Sequence, residues 1–148
     1  MKIALGSDHG GYDLRLAIKA HLESRGFEVQ DFGTHTKTSC DYPDYALEVS
    51  NSIVSGENDL GVLVCGTGLG ISIAANKVKG IIAAPVSDTF SAEMARRHNN
   101  ANIIALGGRV VGEGLALKII DAFFDASFEG GRHETRVGKI KAIEADNL

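Results

Sequence analysis

The sequence is poor in what a secreted, membrane-bound or nucleic-acid-binding chain needs. Among its 148 residues are only two cysteines, Cys40 and Cys65, with no CxxC pair and no regular spacing. That argues against a disulfide framework and for reduced thiols in the cytoplasm. No apolar run approaches the ~18 residues of a membrane span. The stretch Met1 to Leu5 is short and lacks a small-residue cleavage site, so it reads as a first strand rather than a signal peptide. The formal net charge is −4, which leaves no basic field for nucleic acid. Low-complexity tracts, linkers and internal repeats are missing too. The length suits one compact domain over residues 1–148.

What is there is an alternation of short apolar runs with helix-period segments. Strands are expected over residues 2–6, 27–32, 60–65, 81–86 and 102–106. Leu14, Ala17, Ile18 and Leu22 share a helical face that Gly26 ends, and Ala46, Val49 and Ile53 continue a helix begun near Pro43 and stopped at Gly56. Ile71, Ala74, Ala75 and Val78 form the next stripe, and Phe90, Met94 and His98 lie on one side of another helix. Leu115, Ile119, Ala122, Phe123 and Ala126 predict a buried stripe. A last helix, about 135–144, has Val137, Ile140 and Ile143 on one side. The run 60–65 is apolar throughout, as in a strand covered on both faces. The pattern predicts an α/β fold: a five-stranded parallel sheet sandwiched between helices.

Open parallel sheets bind ligands beyond the carboxyl ends of their strands. That rule selects Ser7-Asp8-His9-Gly10-Gly11, Cys65 to Gly70, Ser87-Asp88 and Gly107-Gly108-Arg109. Cys65 ends the most apolar strand and enters a turn with Gly66, Gly68 and Gly70. The helix that follows turns its free N–H groups back on that turn, favouring negative charge. A thiol there should ionise more readily than the ~8.5 of a free cysteine and serve as a base, with an oxyanion hole beside it. The alternative is a small buried hydrophobe, the usual fate of a free cysteine. The turn is neither G-x-G-x-x-G nor a Walker loop.

Other candidates each carry two readings. Asp8 suits a sugar hydroxyl or a helix cap. His98 suits acid/base work on a ring oxygen, or a favourable place against a helix dipole. Arg132 and Arg136 are four apart, on one helical face, and suit a phosphate or a solvated basic face. Arg109 is a further phosphate candidate. Cys40 has no evident base or metal partner, and no His, Cys or carboxylate pair shows tight ligand spacing, so no metal is expected.

Taken together, several segments resemble the type B ribose-5-phosphate isomerases, within the broader family that includes galactose-6-phosphate isomerases. They are Gly6 to Gly11, Asp41-Tyr42-Pro43, Cys65 to Lys77, His98-Asn99, Gly108 to Gly112 and Glu129 to His133. The run from Cys65 to Lys77 is the most specific. The resemblance covers nearly the whole chain and implies a three-layer Rossmann-like sandwich. It implies an isomerase without cofactor or metal, a homodimer or a dimer of dimers, and sites between subunits.

By the same resemblance, Cys65 looks like the base that moves a proton between carbons 2 and 1. The backbone of Gly66, Thr67, Gly68, Leu69 and Gly70 looks like the oxyanion hole. His98 looks like the ring-opening residue, and Asp8 and Asn99 like hydroxyl ligands. His9, Arg109, Arg132 and Arg136 look like phosphate ligands, with His133 nearby. Some relatives replace the cysteine with a hydroxyl residue; Cys65 places this chain on the thiol branch. Galactose-phosphate relatives lack the counterparts of His98 and the arginine pair, which favours ribose-5-phosphate. Allose-6-phosphate, galactose-6-phosphate or a tetrose phosphate is the alternative within the class. A phosphate- or nucleotide-binding module is the alternative outside it.

Overall fold

A computed structural model describes residues 1–147. Among them the chain forms five strands and six α-helices: β1 (Lys2–Ser7), α1 (Tyr12–Ser24), β2 (Glu28–Asp31), α2 (Tyr42–Val54), β3 (Leu60–Cys65), α3 (Leu69–Ala75), β4 (Ala83–Pro85), α4 (Thr89–Arg97), β5 (Ile103–Gly107), α5 (Glu113–Phe124) and α6 (Arg132–Asn147). The strands make one sheet in the order β2-β1-β3-β5-β4, all parallel.

Alternation along the strands splits the core into two layers. Ile3, Leu5, Val62, Val64, Ile104 and Leu106 face Leu14, Ile18 and Leu22 of α1, Ala92 and Ala95 of α4, and the inner stripe of α5. Ala4, Leu63, Cys65, Ile103 and Ala105 face Ala46 and Val49 of α2 and Ile71 and Ala75 of α3. The expected three-layer sandwich is therefore present, with Cys65 on the α2/α3 side. No helix of the described residues is long and apolar enough to cross a membrane.

Four details depart from the periodicity. The fourth strand, Ala83–Pro85, is shorter than 81–86; it lies at the sheet edge, where it pairs with β5 alone and where Pro85, with no N–H to donate, is tolerated. In α5 the buried stripe is Ala116, Ile119, Ile120, Phe123 and Phe124, and Leu115 is exposed. In α4 the packed side is Ala92 and Ala95, while Phe90 projects outward. α6 begins at Arg132, earlier than expected, and buries only His133 and Val137; Ile140 and Ile143 stay exposed.

One buried cation belongs to the frame. Arg15, 1% exposed, donates from Nη1 to Ser7 Oγ at 2.9 Å and to the Thr34 carbonyl, and its Nε lies 3.3 Å from Asp31. A guanidinium can serve several acceptors at once, and here it joins the end of β1 to the segment after β2.

Candidate active site

Sequence places Cys65 at the carboxyl end of the central strand, and the fold gives its sulfur a specific neighbour. Sγ, with the residue 4% exposed, accepts the Gly68 N–H at 3.1 Å. That amide can turn back because Gly68 has φ +82°, a left-handed conformation open to glycine at little cost. The turn is clasped to the chain after β5: Gly108 N–H donates to the Cys65 carbonyl at 2.8 Å and Arg109 N–H to that of Gly66 at 3.0 Å. Thr67 Oγ1 accepts the Leu69 N–H at 3.2 Å. The Tyr42 ring lies against Gly70 so closely that an added methyl would come within 2.6 Å of it.

The loop after β1 joins the same edge. Asp8, 6% exposed, accepts the N–H groups of Gly10 and Gly11 through Oδ1 at 2.9 and 3.2 Å, so it does act as a cap. Its backbone N–H donates to Val64 at 3.3 Å, beside the cysteine turn. His9 Nδ1 accepts the Cys40 N–H at 3.2 Å, which leaves Nε2 to carry the ring hydrogen outward. Cys40, read from sequence as lacking a partner, thus adjoins a histidine, its sulfur 4.0 Å from Nδ1.

A second cluster stands elsewhere. His98 caps the end of α4, and its ring stacks on that of His133, centroids 4.0 Å apart and planes 7° from parallel. Oε1 of Glu129 lies 3.6 Å from Nε2 of each. Arg97 holds the other Glu129 oxygen through Nε at 2.8 Å and Nη2 at 2.6 Å, and reaches Glu93 at 2.8 Å through Nη1. Burial pushes the His133 pKa down, and the nearby charges of His98, Arg132 and Arg136 push the same way against Glu129. Glu129 and His133 are an i,i+4 pair that the reading for metal-ligand spacing missed; with His98 their donor atoms lie within 4.8 Å of one another.

These clusters occupy opposite edges of the sheet. α4 leaves the carboxyl end of β4 and returns the chain to the amino end of β5, its parallel neighbour. Its nine residues rise about 13 Å at ~1.5 Å each. His98 and Asn99 are therefore carried away from Cys65 of their own chain. The N–H of Glu129 on the Arg97 carbonyl, at 3.0 Å, holds the start of α6, with Arg132, His133 and Arg136, at that same amino edge. Asp8, His9, Cys65, Gly66, Thr67, Gly68, Leu69, Gly70 and Arg109 gather at the carboxyl edge; His98, Asn99, Arg132, His133 and Arg136 gather at the other. The sequence reading passed over Glu129, Arg97 and a packing role for Tyr42. The Glu129–His133 spacing was the available signal.

A parallel α/β sandwich with a thiol at a glycine turn, and a separate set of histidines and arginines, defines a class of enzyme that can move protons on an anionic substrate. The chain belongs to the Ribose/Galactose Isomerase family, whose sequence profile matches residues 3–140. It is 52% identical to ribose-5-phosphate isomerase B of Escherichia coli over 143 residues, 97% of this chain and 96% of the relative. The structure of Clostridium thermocellum ribose-5-phosphate isomerase B superposes with a TM-score of 0.99 at 58% identity, covering 100% of both chains. That of the Mycoplasma genitalium enzyme with bound ribulose-5-phosphate gives 0.94 at 42% identity, over 99% of this chain and 97% of that one.

Proposed function

We propose that this chain, as one isomerase domain, interconverts ribose-5-phosphate and ribulose-5-phosphate through an enediolate, a step of the pentose phosphate pathway. Family membership supports the reaction class. The observation that carries the mechanism is the Gly68 N–H held on the Cys65 sulfur at the mouth of β3. An amide aimed at sulfur stabilises a thiolate, and the neighbouring N–H groups of the turn can hold the oxygen on which charge develops.

The ring form binds with its phosphate on His9 Nε2–H and the arginines Arg109, Arg132 and Arg136. His98 gives a proton to the ring oxygen as its bond to carbon 1 breaks, and the anomeric hydroxyl releases its own proton to water. Cys65 then takes the proton from carbon 2, leaving an enediolate whose oxyanion at carbon 1 is held by the backbone from Gly66 to Gly70. The carbon-2 hydroxyl proton passes to that oxygen, and Cys65 returns its proton to carbon 1 as the carbonyl forms at carbon 2. Asp8 and Asn99 bind hydroxyls. None of these steps needs a cofactor. Two unpaired thiols suit a reducing cytoplasm.

One chain keeps the two halves of this machinery apart, so the reading requires a homodimer or a dimer of dimers. Two-fold pairing brings the carboxyl edge of each copy to the amino edge of the other and makes two equivalent sites. Exposed Leu47, Leu69 and Ile73 on α2 and α3 supply apolar surface for such pairing. Mixing Cys65→Ala with His98→Asn tests it. Each variant alone should be nearly inactive towards ribose-5-phosphate in a coupled assay. Co-refolded together, they should recover about a quarter of wild-type activity, since half the dimers would hold one intact site. A mixture no more active than its parts would rule out shared sites.

A further inference from the structure

The reaction uses one imidazole at the amino edge, yet two stand there with a carboxylate between them. The donor atoms of His98, Glu129 and His133 lie within 4.8 Å, a separation that alone would suit a divalent ion. The ring geometry does not. The planes are 7° from parallel, so the two Nε2 lone pairs run side by side instead of converging on one point. Arg97 already holds the second carboxylate oxygen with two hydrogen bonds. The cluster is built to manage a proton.

We propose that Glu129, anchored on Arg97, is a positioning residue for sugar-ring opening, and that it keeps a single acid proton on His98 rather than on His133. This rests on the function proposed above. Oε1 stands 3.6 Å from both Nε2 atoms, too far for a hydrogen bond, and so acts on each ring by charge. Two imidazolium rings stacked at 4.0 Å repel one another, so the geometry favours one acid proton on the pair over two.

Surroundings decide which ring takes it. His133 is 7% exposed, and its Nε2 has no hydrogen-bond partner among the described residues. Burial and the charges of His98, Arg132 and Arg136 favour its neutral form, against Glu129. The His98 side chain is 36% exposed and open to solvent and substrate. A neutral imidazole face beneath an imidazolium adds cation–π attraction. Arg97, with Glu93 on its far side, keeps the carboxylate from swinging away. His98 is left as the proton donor, with His133 as its platform and Glu129 as its counter-charge.

The test is Glu129→Gln, which keeps shape and removes charge, measured beside Glu129→Asp. Ribulose-5-phosphate has no free 5-hydroxyl and is open-chain, so solvent deuterium exchange at its carbon 1 reports the proton shuttle without ring opening. In Glu129→Gln, kcat on ribose-5-phosphate should fall about tenfold, with KM and the ribulose exchange rate within about twofold of wild type. The alkaline limb of the kcat profile should move to lower pH, and Glu129→Asp should restore part of both losses. Histidine-resolved NMR should show His98 releasing its proton at lower pH in the Gln variant. Unchanged kcat and pH profile, or equal loss of turnover and exchange, would overturn the proposal. If wild type itself failed on ribose-5-phosphate, the function would fall, while the NMR comparison would still judge Glu129.

Discussion

At the carboxyl edge of the sheet the Cys65 sulfur meets a backbone amide, whereas at the amino edge the imidazoles meet other side chains. Gly68 presents its N–H through a turn geometry, fixed by φ and by hydrogen bonds to the chain after β5. His98 depends on a relay of charges from Glu93 through Arg97 to Glu129. Backbone placement costs little to keep and is insensitive to salt and pH. Side-chain placement can be tuned, and it is lost one charge at a time.

The largest effect expected from testing this contrast is that of Cys65→Ala. It should lower turnover of ribose-5-phosphate by at least ~10² with the fold intact, measured by coupled assay beside circular dichroism. Wild-type turnover in a folded variant would remove the sulfur from the mechanism. Gly68→Ala comes next. Its methyl would sit at positive φ, 3.0 Å from the Leu106 backbone. The strain should cost about 1–2 kcal/mol of stability and swing the amide from the sulfur, with a loss near 10² in kcat. A denaturant melt and a kcat value separate the two consequences.

The smallest effect belongs to pH. The folded state holds the His133 pKa below its ordinary 6.5, so the unfolded chain binds more protons between those values. Stability should therefore be fully present above pH 6.5 and decline as pH falls towards the depressed value. His133→Gln should flatten that part of the profile in urea melts taken across the range, and an unchanged slope would argue against a neutral, buried His133.

The two edges also differ in how far the sequence discloses them. The carboxyl edge is local: Cys65 and its glycines are consecutive, and a strand followed by a helix fixes where they point. The three inner strands, β1, β3 and β5, could be found for the same reason, since burial on both faces leaves unbroken apolar runs such as 60–65. The fourth strand is shorter than its apolar run because hydrophobicity does not reveal how few residues of an edge strand pair with β5. Leu115 was placed inside because a stripe one residue out of phase fits α5 nearly as well. The amino edge is tertiary. Glu129 gains its meaning only when α4 and α6 meet, and Cys40 becomes His9's neighbour only across a segment with no periodicity. The rule that sites lie beyond the carboxyl ends of strands reaches the candidates of that edge and none of those at the amino edge.

Arg15 shows how far such dependence extends. It bolts Ser7, Asp31 and Thr34 together under a loop whose far end supplies the Cys40 amide that orients His9. The His9 ring thus inherits its aim from a cation buried beneath the loop. A lysine there could not span the same three acceptors, so that aim would blur with no change at the binding surface.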